Sequence, residues 1–406
     1  MRLEIIDSAA GFDALRDDWN RLAGDDPLNS WEWSRAWWHE FRRGGRLAIA
    51  VVRDGDLVLA IAPFYTVRRR VQGHVLQFLG SGKACTDYRR ILLGPTDDPN
   101  WIKRIIDLLL DETAWRQAGV GPIDLWELEG IDIEEPTMKL LIAGLSEKGY
   151  ATSRDALESA WAAALPRTWD TFVAATHRTI RRKIHKAKRR ADDPDVQFHT
   201  ASEPEAIAAI WDEFVRLHQC RFQDKVVGGG VFTDPTFERF LRGAVESLAA
   251  HGKVRLLWCS YRGVPISIQF YLLGGETANM YQSGFDPAFA HLEPGHLLYS
   301  FTVEHLIDAG FTKLDFLRGD ESYKADWNGK PTPLTRVRCV SPRAAARVRN
   351  GLFVAGRAMK RMLRELRSKS AAAKPISNQR ATNIAPEAAS QGAGKSATET
   401  KELVEV

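Results

Sequence analysis

One short polar stretch holds the residue types in this chain that are best suited to chemistry. It follows a strand predicted over residues 313–317 and runs to Trp327. It contains a single glycine, Gly319, among polar and aromatic residues. These are Arg318, Asp320, Glu321, Tyr323, Lys324, Asp326 and Trp327. A polar loop with aromatic anchors at the carboxyl end of a strand is a frequent place for catalysis. The alternative interpretation is a salt-bridged turn that closes a core strand.

Composition limits the classes of protein to which the chain can belong. Its 406 residues are enough for two domains of ordinary size. A hydrophobic fraction of 44% and 13 tryptophans support sizeable cores, while a net charge of only +4 means that positive charge is local. The four cysteines are far apart, at Cys85, Cys220, Cys259 and Cys339. This spacing predicts neither a metal site nor a disulfide framework, and it fits a reducing compartment.

Targeting signals are not evident in the sequence. The first residues lack the apolar segment of a signal peptide, and no run approaches the ~18 apolar residues that span a bilayer. We therefore expect a cytoplasmic protein.

Two halves of the sequence follow the same order of predicted elements. Each contains helices, a hairpin, a further strand, a helix and another strand. The hairpins turn at Asp54-Gly55 in the first half and at Arg262-Gly263 in the second. The later strands reach Gly130 and Gly319, but only the second glycine is followed by the polar stretch. We therefore expect the chemistry to lie in the second half.

Apolar periodicity and turn residues place these elements along the chain. Helices are predicted over 12–22, 31–41, 101–115, 136–148, 166–191, 204–222, 235–250 and 294–309. Strands are predicted over 47–52, 57–65, 75–79, 123–128, 159–165, 196–200, 254–261, 265–273, 278–282, 313–317 and 335–340. The tryptophan-rich helix over 31–41 is expected to pack its rings into a core, with Ser30 as its N-cap.

Two further segments carry the local positive charge. The helix over 166–191 has eight cations and no acid between Arg178 and Arg190, and it is either a solvated face or an anion-binding surface. The helix over 343–369 has an apolar stripe beside many cations, and it either packs on the second domain or lies on an anionic membrane. Residues 370–406 contain no aromatic side chain and are expected to be disordered.

Several motifs within this order of elements resemble one family. They are Trp31-Glu32-Trp33, Thr179-Ile180-Arg181-Arg182-Lys183, Ser283-Gly284-Phe285-Asp286-Pro287, Pro294-Gly295-His296 and the string from Asp315 to Trp327. On these motifs the chain resembles the CelD/BioF2-like acetyltransferase family, a tandem GNAT group related to the Fem-type transferases. The resemblance covers roughly residues 1–340, and the string from Asp315 to Trp327 is its most specific part.

The resemblance implies an α/β fold of two tandem GNAT-like domains, each a mixed sheet flanked by helices. It implies an N-terminal domain over 1–165, expected to be non-catalytic, a basic linker helix over 166–194 and a catalytic domain over 195–342. The implied reaction transfers an acyl group from acetyl-CoA or another acyl-CoA to an amine of a sugar or polysaccharide precursor, lipid-linked precursors included. The setting would be exopolysaccharide or cellulose-type biosynthesis, with the helix over 343–369 on the inner membrane face and no nucleic acid partner.

Two other functions remain open at this stage. An aminoacyl-tRNA-dependent transferase of the Fem type is one, and the basic helix over 166–191 favours it. A non-catalytic scaffold of a polysaccharide export complex is the other.

The resemblance also implies roles for particular residues. Acyl transfer needs a proton acceptor for the amine and a proton donor for the leaving thiolate. The predicted catalytic residues are Asp320 and Glu321 as bases, Tyr323 as acid, and Lys324. The predicted acyl-CoA site comprises Gly284, Pro294, Gly295 and His296, because a helix N-terminus favours phosphate. The predicted substrate contacts are Arg318, Asp286, Gln269, Tyr281 and Trp327.

Overall fold

The structure describes most of the chain, apart from residue 97, residues 224–228 and residues 373–406. A computed structural model describes residues 1–96, 98–223 and 229–372. The predicted disordered segment lies, from residue 373 onward, outside the described residues.

The strands of the described chain alternate with helices along its whole length. They are β1 (Arg2–Ile6), β2 (Arg46–Leu47), β3 (Ile49–Asp54), β4 (Leu57–Ala62), β5 (Phe64–Arg69), β6 (Gly73–Phe78), β7 (Leu92–Leu93), β8 (Leu125–Ile131), β9 (Ala151–Ala156), β10 (Ala160–Ala164), β11 (Val196–Ala201), β12 (Val254–Tyr261), β13 (Val264–Gly274), β14 (Thr277–Phe285), β15 (Lys313–Arg318), β16 (Lys330–Thr332) and β17 (Thr335–Val340).

The helices are α1 (Ala9–Ala14), α2 (Arg16–Ala23), α3 (Trp31–Phe41), α4 (Pro99–Leu109), α5 (Glu112–Gln117), α6 (Pro136–Glu147), α7 (Trp169–Ala175), α8 (Arg178–Ala191), α9 (Pro204–Phe222), α10 (Pro235–Ala249), α11 (Pro294–Asp308), α12 (Tyr323–Asp326) and α13 (Ala344–Ala372).

The fold is the predicted α/β architecture with mixed sheets flanked by helices. A seven-stranded sheet has the order β11-β12-β13-β14-β15-β10-β16 within the described residues. In the first half, the described strands form a six-stranded sheet, β2-β5-β6-β8-β17-β9, and a four-stranded sheet, β1-β3-β4-β7.

The predicted repeat is visible in the strand pairing. Antiparallel hairpins β3–β4 and β12–β13 turn at glycines with positive φ, Gly55 and Gly263. Each half then has a crossover to a parallel pair: β6 with β8, and β14 with β15. Such a pair needs a long connection, which α4–α5 and α11 supply.

The two halves exchange strands at their ends. β10 follows the first half in sequence but pairs with β15 in the seven-stranded sheet. β17 follows the second half in sequence but pairs with β8 and β9. Residues 1–350 accordingly form one compact unit. The halves cannot be separated at residue 165 or 342 without taking one strand out of each sheet.

The prediction was wrong about one long helix over 166–191. The structure has α7 and α8, separated by Thr176 and His177 in extended conformation. His177 is the N-cap of α8, because its ring nitrogen accepts a hydrogen bond from the backbone N–H of Thr179 at 3.3 Å. The predicted helices over 12–22 and 101–115 are likewise each split in two, and strands β1 and β9 were missed.

Aromatic side chains join the halves as well. Trp33 on α3 is fully buried, with its ring centroid 4.9 Å from Phe240 on α10 and 5.0 Å from Tyr281 on β14. Ser30 caps α3 as predicted, since its hydroxyl accepts from the backbone N–H of Trp33 at 3.2 Å. The core prediction for the tryptophan-rich helix is confirmed for Trp33, Trp37 and Trp38.

Helix α13 confirms the helix predicted over 343–369. Its first residues to Asn350 belong to the compact unit, and from Gly351 the helix forms a second unit. None of the helices in the described part of the chain is long and apolar enough to cross a membrane.

Candidate active site

The seven-stranded sheet opens between two neighbouring strands. β14 and β15 run parallel, but in this described region they pair only over Thr277–Asn279 and Lys313–Asp315. Beyond that point β14 stays with β13 and β15 stays with β10, so the strands separate toward their carboxyl ends. An irregularity in the β13–β14 register, at Phe270 and Tyr271, falls at the same level. Ligands of α/β sheets bind where strand connections diverge at carboxyl ends.

The polar stretch begins with a sharp turn after β15. Leu317 has φ of 55° and Gly319 has φ of 130°. A Cβ on Gly319 would lie 2.3 Å from a carboxylate oxygen of Glu321 and 2.9 Å from the Lys324 ammonium. Only glycine fits this position.

Lys324 holds the turn together from inside. Its ammonium is buried and donates to the carbonyl oxygens of Leu317, Arg318 and Gly319, each at 3.0 Å. It also lies 3.0 Å from the carboxylate of Glu321. All three ammonium hydrogens have acceptors within the loop. The predicted catalytic role for Lys324 is therefore replaced by a structural one.

Arg318 is also committed to the protein. Its guanidinium Nε and its backbone N–H donate to the carboxylate of Asp87, at 2.8 and 2.7 Å, and a second carboxylate, Glu129, lies 3.4 Å away. Burial opposes the charge of Arg318, but these carboxylates raise its pKa. The prediction that Arg318 contacts an anionic substrate is corrected, because two protein carboxylates already face its side chain.

The two predicted bases take different positions. Asp320 is exposed, and its Oδ1 accepts from the backbone N–H of Ser159 at 3.2 Å and from the Trp161 indole at 3.3 Å. Asp320 is thus held at β10. Glu321 is exposed and pairs with Lys324, and its charge raises the pKa of Tyr323.

Tyr323 lies at the centre of an aromatic and polar cluster. Its ring centroid is 5.5 Å from that of Tyr299 on α11 and 6.3 Å from that of Phe316 on β15. Its hydroxyl shares hydrogen bonds with Tyr299 and Arg221. Burial raises the pKa of Tyr323, and the charge of Arg221 opposes that rise. Tyr323 therefore stays protonated at neutral pH.

Arg221 connects this cluster to β14. It lies on the last turn of α9 and donates to the hydroxyl of Ser283, and also to the Ser283 carbonyl oxygen at 3.4 Å. The sequence reasoning missed Arg221, Tyr299 and Ser283 as a group. Spacing could have indicated Arg221, because it continues the buried face of α9 formed by Trp211, Phe214 and Leu217.

The polar side-chain atoms of Gln269 and Tyr281 form hydrogen bonds within the protein. The amide oxygen of Gln269 is buried and accepts from the hydroxyls of Tyr271 at 2.9 Å and Thr302 at 2.8 Å. Tyr281 donates its hydroxyl to the carbonyl oxygen of Ala84 at 2.7 Å and packs on Trp33. Their predicted substrate contacts are therefore replaced by roles within the core.

Asp286, Gly284 and Trp327 also pack within the protein. Asp286 pairs with Arg216 at 3.1 Å and caps the following turn. A Cβ on Gly284 would lie 2.3 Å from the backbone nitrogen of His218, so the glycine permits contact with α9. Trp327 is fully buried and stacks on Tyr299 at 5.2 Å. The partners of Asp286 and Trp327 occupy these side chains within the protein, whereas the predicted cofactor contact of Gly284 stays a prediction.

The N-terminus of α11 remains open, as the predicted acyl-CoA site requires. Pro294 occupies its first turn, and a Cβ on Gly295 would meet nothing within 4 Å. His296 is partly buried, and burial together with the nearby charge of Lys183 lowers its pKa. Its ring centroid lies 6.3 Å from that of Trp327.

Helix α8 holds this end of α11 in place. Lys186 and Arg190 bond the carboxylate of Glu293, at 2.9 and 2.6 Å, and these contacts lower its pKa against the effect of burial. Glu293 is the residue before α11 and has φ of 52°. The strained backbone of Glu293 is therefore fixed by two cations from a neighbouring helix.

Other cations of α8 are uncommitted. Arg178, Arg182, Lys183 and Arg189 have no acidic partner among the residues that the structure describes. A surface recess of about 550 Å³ lies along this helix and is lined by Arg182, His185, Lys188, Arg189, Ala191 and Asp192. These cations leave a positive field beside the start of α11.

Comparisons with known proteins agree with this geometry. A family model described as an acetyltransferase (GNAT) domain matches residues 174–325. That range runs from the end of α7 to α12 and includes the opened strands and the polar stretch. The chain is accordingly an acyltransferase with a GNAT domain in its second half. No curated protein matches the sequence significantly.

Solved structures share the fold across both halves. The structure of FemX is similar with a TM-score of 0.55 and 11% identity, covering 82% of this chain and 97% of that one. The C-terminal domain of an Agrobacterium fabrum protein described as a lysylphosphatidylglycerol synthetase has a TM-score of 0.50 and 12% identity, covering 86% and 97%. A conserved protein from Bacteroides thetaiotaomicron has a TM-score of 0.50 and 12% identity, covering 83% and 99%. These likenesses show a two-domain arrangement of the GNAT type.

Proposed function

We propose that the chain transfers an acyl group from an acyl-CoA, acetyl-CoA in the first instance, to an amine of a sugar or polysaccharide precursor. The observation that carries the proposal is the opening between β14 and β15, which has Arg221 bonded to Ser283 of β14 and Tyr323 packed on α11. The GNAT domain match over 174–325 supports acyl transfer as the reaction class.

The start of α11 is proposed to hold the phosphates of the donor. Free backbone N–H groups and the helix dipole favour anions there. Gly295 leaves space for close approach, and Lys183 adds positive charge at the same place. The remaining cations of α8 extend the positive surface away from the helix end, which suits a donor with several phosphates.

The thioester is proposed to lie along the unpaired edge of β14 beyond Asn279. Backbone N–H groups on an unpaired edge can donate to the carbonyl oxygen as it gains negative charge. The amine nitrogen attacks the carbonyl carbon, the C–N bond forms and the C–S bond breaks. Glu321 takes the proton that the amine loses, and Tyr323 gives a proton to the departing thiolate. The step leaves Glu321 protonated and Tyr323 ionised, and transfer of one proton from Glu321 to Tyr323 through solvent restores both.

The acceptor and the cellular setting rest on the resemblance to the CelD/BioF2-like family. They are an amino sugar or lipid-linked saccharide, within exopolysaccharide or cellulose-type biosynthesis on the cytoplasmic side. The basic helix α13 supports a position at an anionic membrane surface.

Calorimetric titration of the full chain with acetyl-CoA tests the donor. We expect saturable binding that weakens as salt is added. A thiol-release assay against amino sugars and nucleotide-linked amino sugars then tests the acceptor. Absence of acetyl-CoA binding at millimolar ligand would overturn the proposal. Salt-sensitive tRNA binding in that case would select the aminoacyl-tRNA-dependent alternative, and absence of both would select the scaffold.

A further inference from the structure

We infer that the first half of the chain positions the acid–base loop of the second half, and that Asp87 is the positioning residue. This inference rests on the proposed function in taking Glu321 and Tyr323 as the acid–base pair. It gives the domain over 1–165, expected to be non-catalytic, a defined part in catalysis.

Asp87 contacts the loop at its first residue. One carboxylate oxygen accepts from the backbone N–H of Arg318 at 2.7 Å, and the other accepts from its Nε at 2.8 Å. The backbone carbonyl oxygen of Arg318 accepts a hydrogen bond from the Lys324 ammonium at 3.0 Å. Lys324 in turn pairs with Glu321 at 3.0 Å. A continuous set of polar contacts therefore links Asp87 to the proposed base.

Glu129 and Arg336 extend this set of contacts. Glu129, near the end of β8, lies 3.4 Å from the Arg318 guanidinium and 3.0 Å from that of Arg336 on β17. A Cβ on the neighbouring Gly130 would lie 2.7 Å from the Arg318 guanidinium, so the glycine permits this close approach. The guanidinium of Arg318, the residue before Gly319, thus reaches the backbone at Gly130, the equivalent position of the repeat.

The segment that carries Asp87 belongs to the first half and contacts the second half. Cys85 and Tyr88, on either side of it, have φ of 44° and 57°. Non-glycine residues keep such angles only when their surroundings fix them. Here the Tyr88 hydroxyl donates to Asp315 on β15 at 3.0 Å, and Trp33 donates to Thr86 at 2.9 Å.

The ion pair between Asp87 and Arg318 is buried. Asp87 is 1% exposed and the Arg318 side chain 12% exposed. A buried ion pair adds little to stability overall, but removing one partner leaves the other charge without compensation. Loss of the Asp87 charge should therefore displace Arg318 and the loop that follows it.

Asp87→Asn tests the inference, with Asp124→Asn as a matched control. Asp124 is also a buried carboxylate of the first half, accepting from the backbone N–H of His74 at 2.9 Å and from Arg343 at 3.0 Å. Its contacts do not involve the loop. Three properties are measured in the full chain: amide hydrogen exchange over residues 318–327, the steady-state constants kcat and KM for acyl transfer, and the dissociation constant of acetyl-CoA.

We expect Asp87→Asn to raise exchange across 318–327 at least tenfold and to lower kcat at least tenfold, with the dissociation constant of acetyl-CoA changed less than twofold. Asp124→Asn should leave all three near the wild-type values. Equal exchange in the two variants, or an unchanged kcat in Asp87→Asn, would overturn the inference. If Asp87→Asn fails to fold, Glu129→Gln is expected to show smaller changes of the same kind.

The exchange and kinetic readouts separate this inference from the proposed function. Hydrogen exchange reports on the loop whether or not the protein transfers an acyl group. Raised exchange in Asp87→Asn without any acyl transfer in the wild type would support positioning of the loop and reject the proposed reaction.

Discussion

Residue types within the polar stretch were recognised from the sequence, but their roles depended on contacts that the sequence does not show. Lys324 and Arg318 were expected to face a substrate, yet each is surrounded by acceptors of the protein itself. Asp320 is held at β10, whereas Glu321 lies just before α12 and Tyr323 is the first residue of α12. Neighbours in sequence thus separate in space because the turn at Gly319 redirects the chain.

Tyr323→Phe should lower kcat by roughly 10²-fold, because the variant has no hydroxyl proton to give the thiolate. The free energy of unfolding should change little, since the ring and its contacts with Tyr299 remain. Steady-state kinetics and thermal unfolding check both statements. Tyr261→Phe, on the hairpin of the same sheet, is the control and should keep its rate. A fully active Tyr323→Phe would remove this residue from the mechanism.

Glu321→Gln and Asp320→Asn separate the two predicted bases. We expect Glu321→Gln to lower kcat by roughly 10²-fold, as for a lost general base. Asp320→Asn should have an effect below tenfold, because its Oδ1 serves Ser159 and Trp161 and an amide oxygen can accept from both. The comparison is made at saturating donor. The reverse order of effects would make Asp320 the base.

Elements were more predictable than roles. The hairpins, the helices α3, α9 and α10, and strands β12 and β17 lie where apolar periodicity and turn residues predict them. Strand β9 was missed because all its residues are exposed and it has no apolar alternation. The break at Thr176 and His177 was missed because the apolar spacing continues from α7 into α8.

Lys183→Gln tests the phosphate site at the level of α8 and α11. A hydrogen bond to a charged group contributes on the order of 1.5 kcal/mol, so the dissociation constant of acetyl-CoA should rise about tenfold. The effect should shrink in high salt because exposed charges are screened. Lys103→Gln, an exposed cation paired with Asp107 on α4, is the control. Equal affinities of the two variants would place the phosphates elsewhere.

Helix α13 is predicted to bind anionic membranes through the part that begins at Gly351. Leu352, Met359, Met362 and Leu363 are exposed, and the sequence 351–369 carries six cations and one acid. Near an anionic leaflet each cation contributes on the order of 1 kcal/mol. We expect weak, salt-sensitive binding to vesicles that contain anionic lipid, measured by co-sedimentation.

Truncation after Asn350 should abolish vesicle binding and keep acyl transfer to a soluble acceptor. The cut is placed there because Arg343, just before α13, and Arg349, in its second turn, bond Asp124 in the first half. Vesicles of neutral lipid are the control. Binding that survives truncation, or an intact chain that ignores anionic vesicles, would contradict the membrane role.

Exchange of strands is the feature of the whole molecule that the sequence did not reveal. β10 and β17 have ordinary strand patterns, and each was assigned to the half that it follows in sequence. Pattern fixes which residues form a strand, but the pairing partner is decided by contacts over long sequence separations. The junction of Asp87, Glu129 and Arg318 is hidden from sequence for the same reason, since Arg318 lies more than 180 residues from both Asp87 and Glu129.

A substitution in an exchanged strand should therefore destabilise both halves together. Val337 on β17 is fully buried in the core of the first half, although it follows the polar stretch 318–327 in sequence. We expect Val337→Ala to lower the free energy of unfolding by about 2 kcal/mol, as for a cavity left in a core. Tryptophan fluorescence reports on both halves, and loss of acetyl-CoA binding reports on the second. The two curves should shift by the same amount in urea and stay coincident, because residues 1–350 form one compact unit in which each half supplies a strand to the sheet of the other. Val264→Ala, an exposed hairpin position, is the control. Separate transitions, with acetyl-CoA binding retained after the first half unfolds, would show that the second half is stable without β17 in its partner sheet.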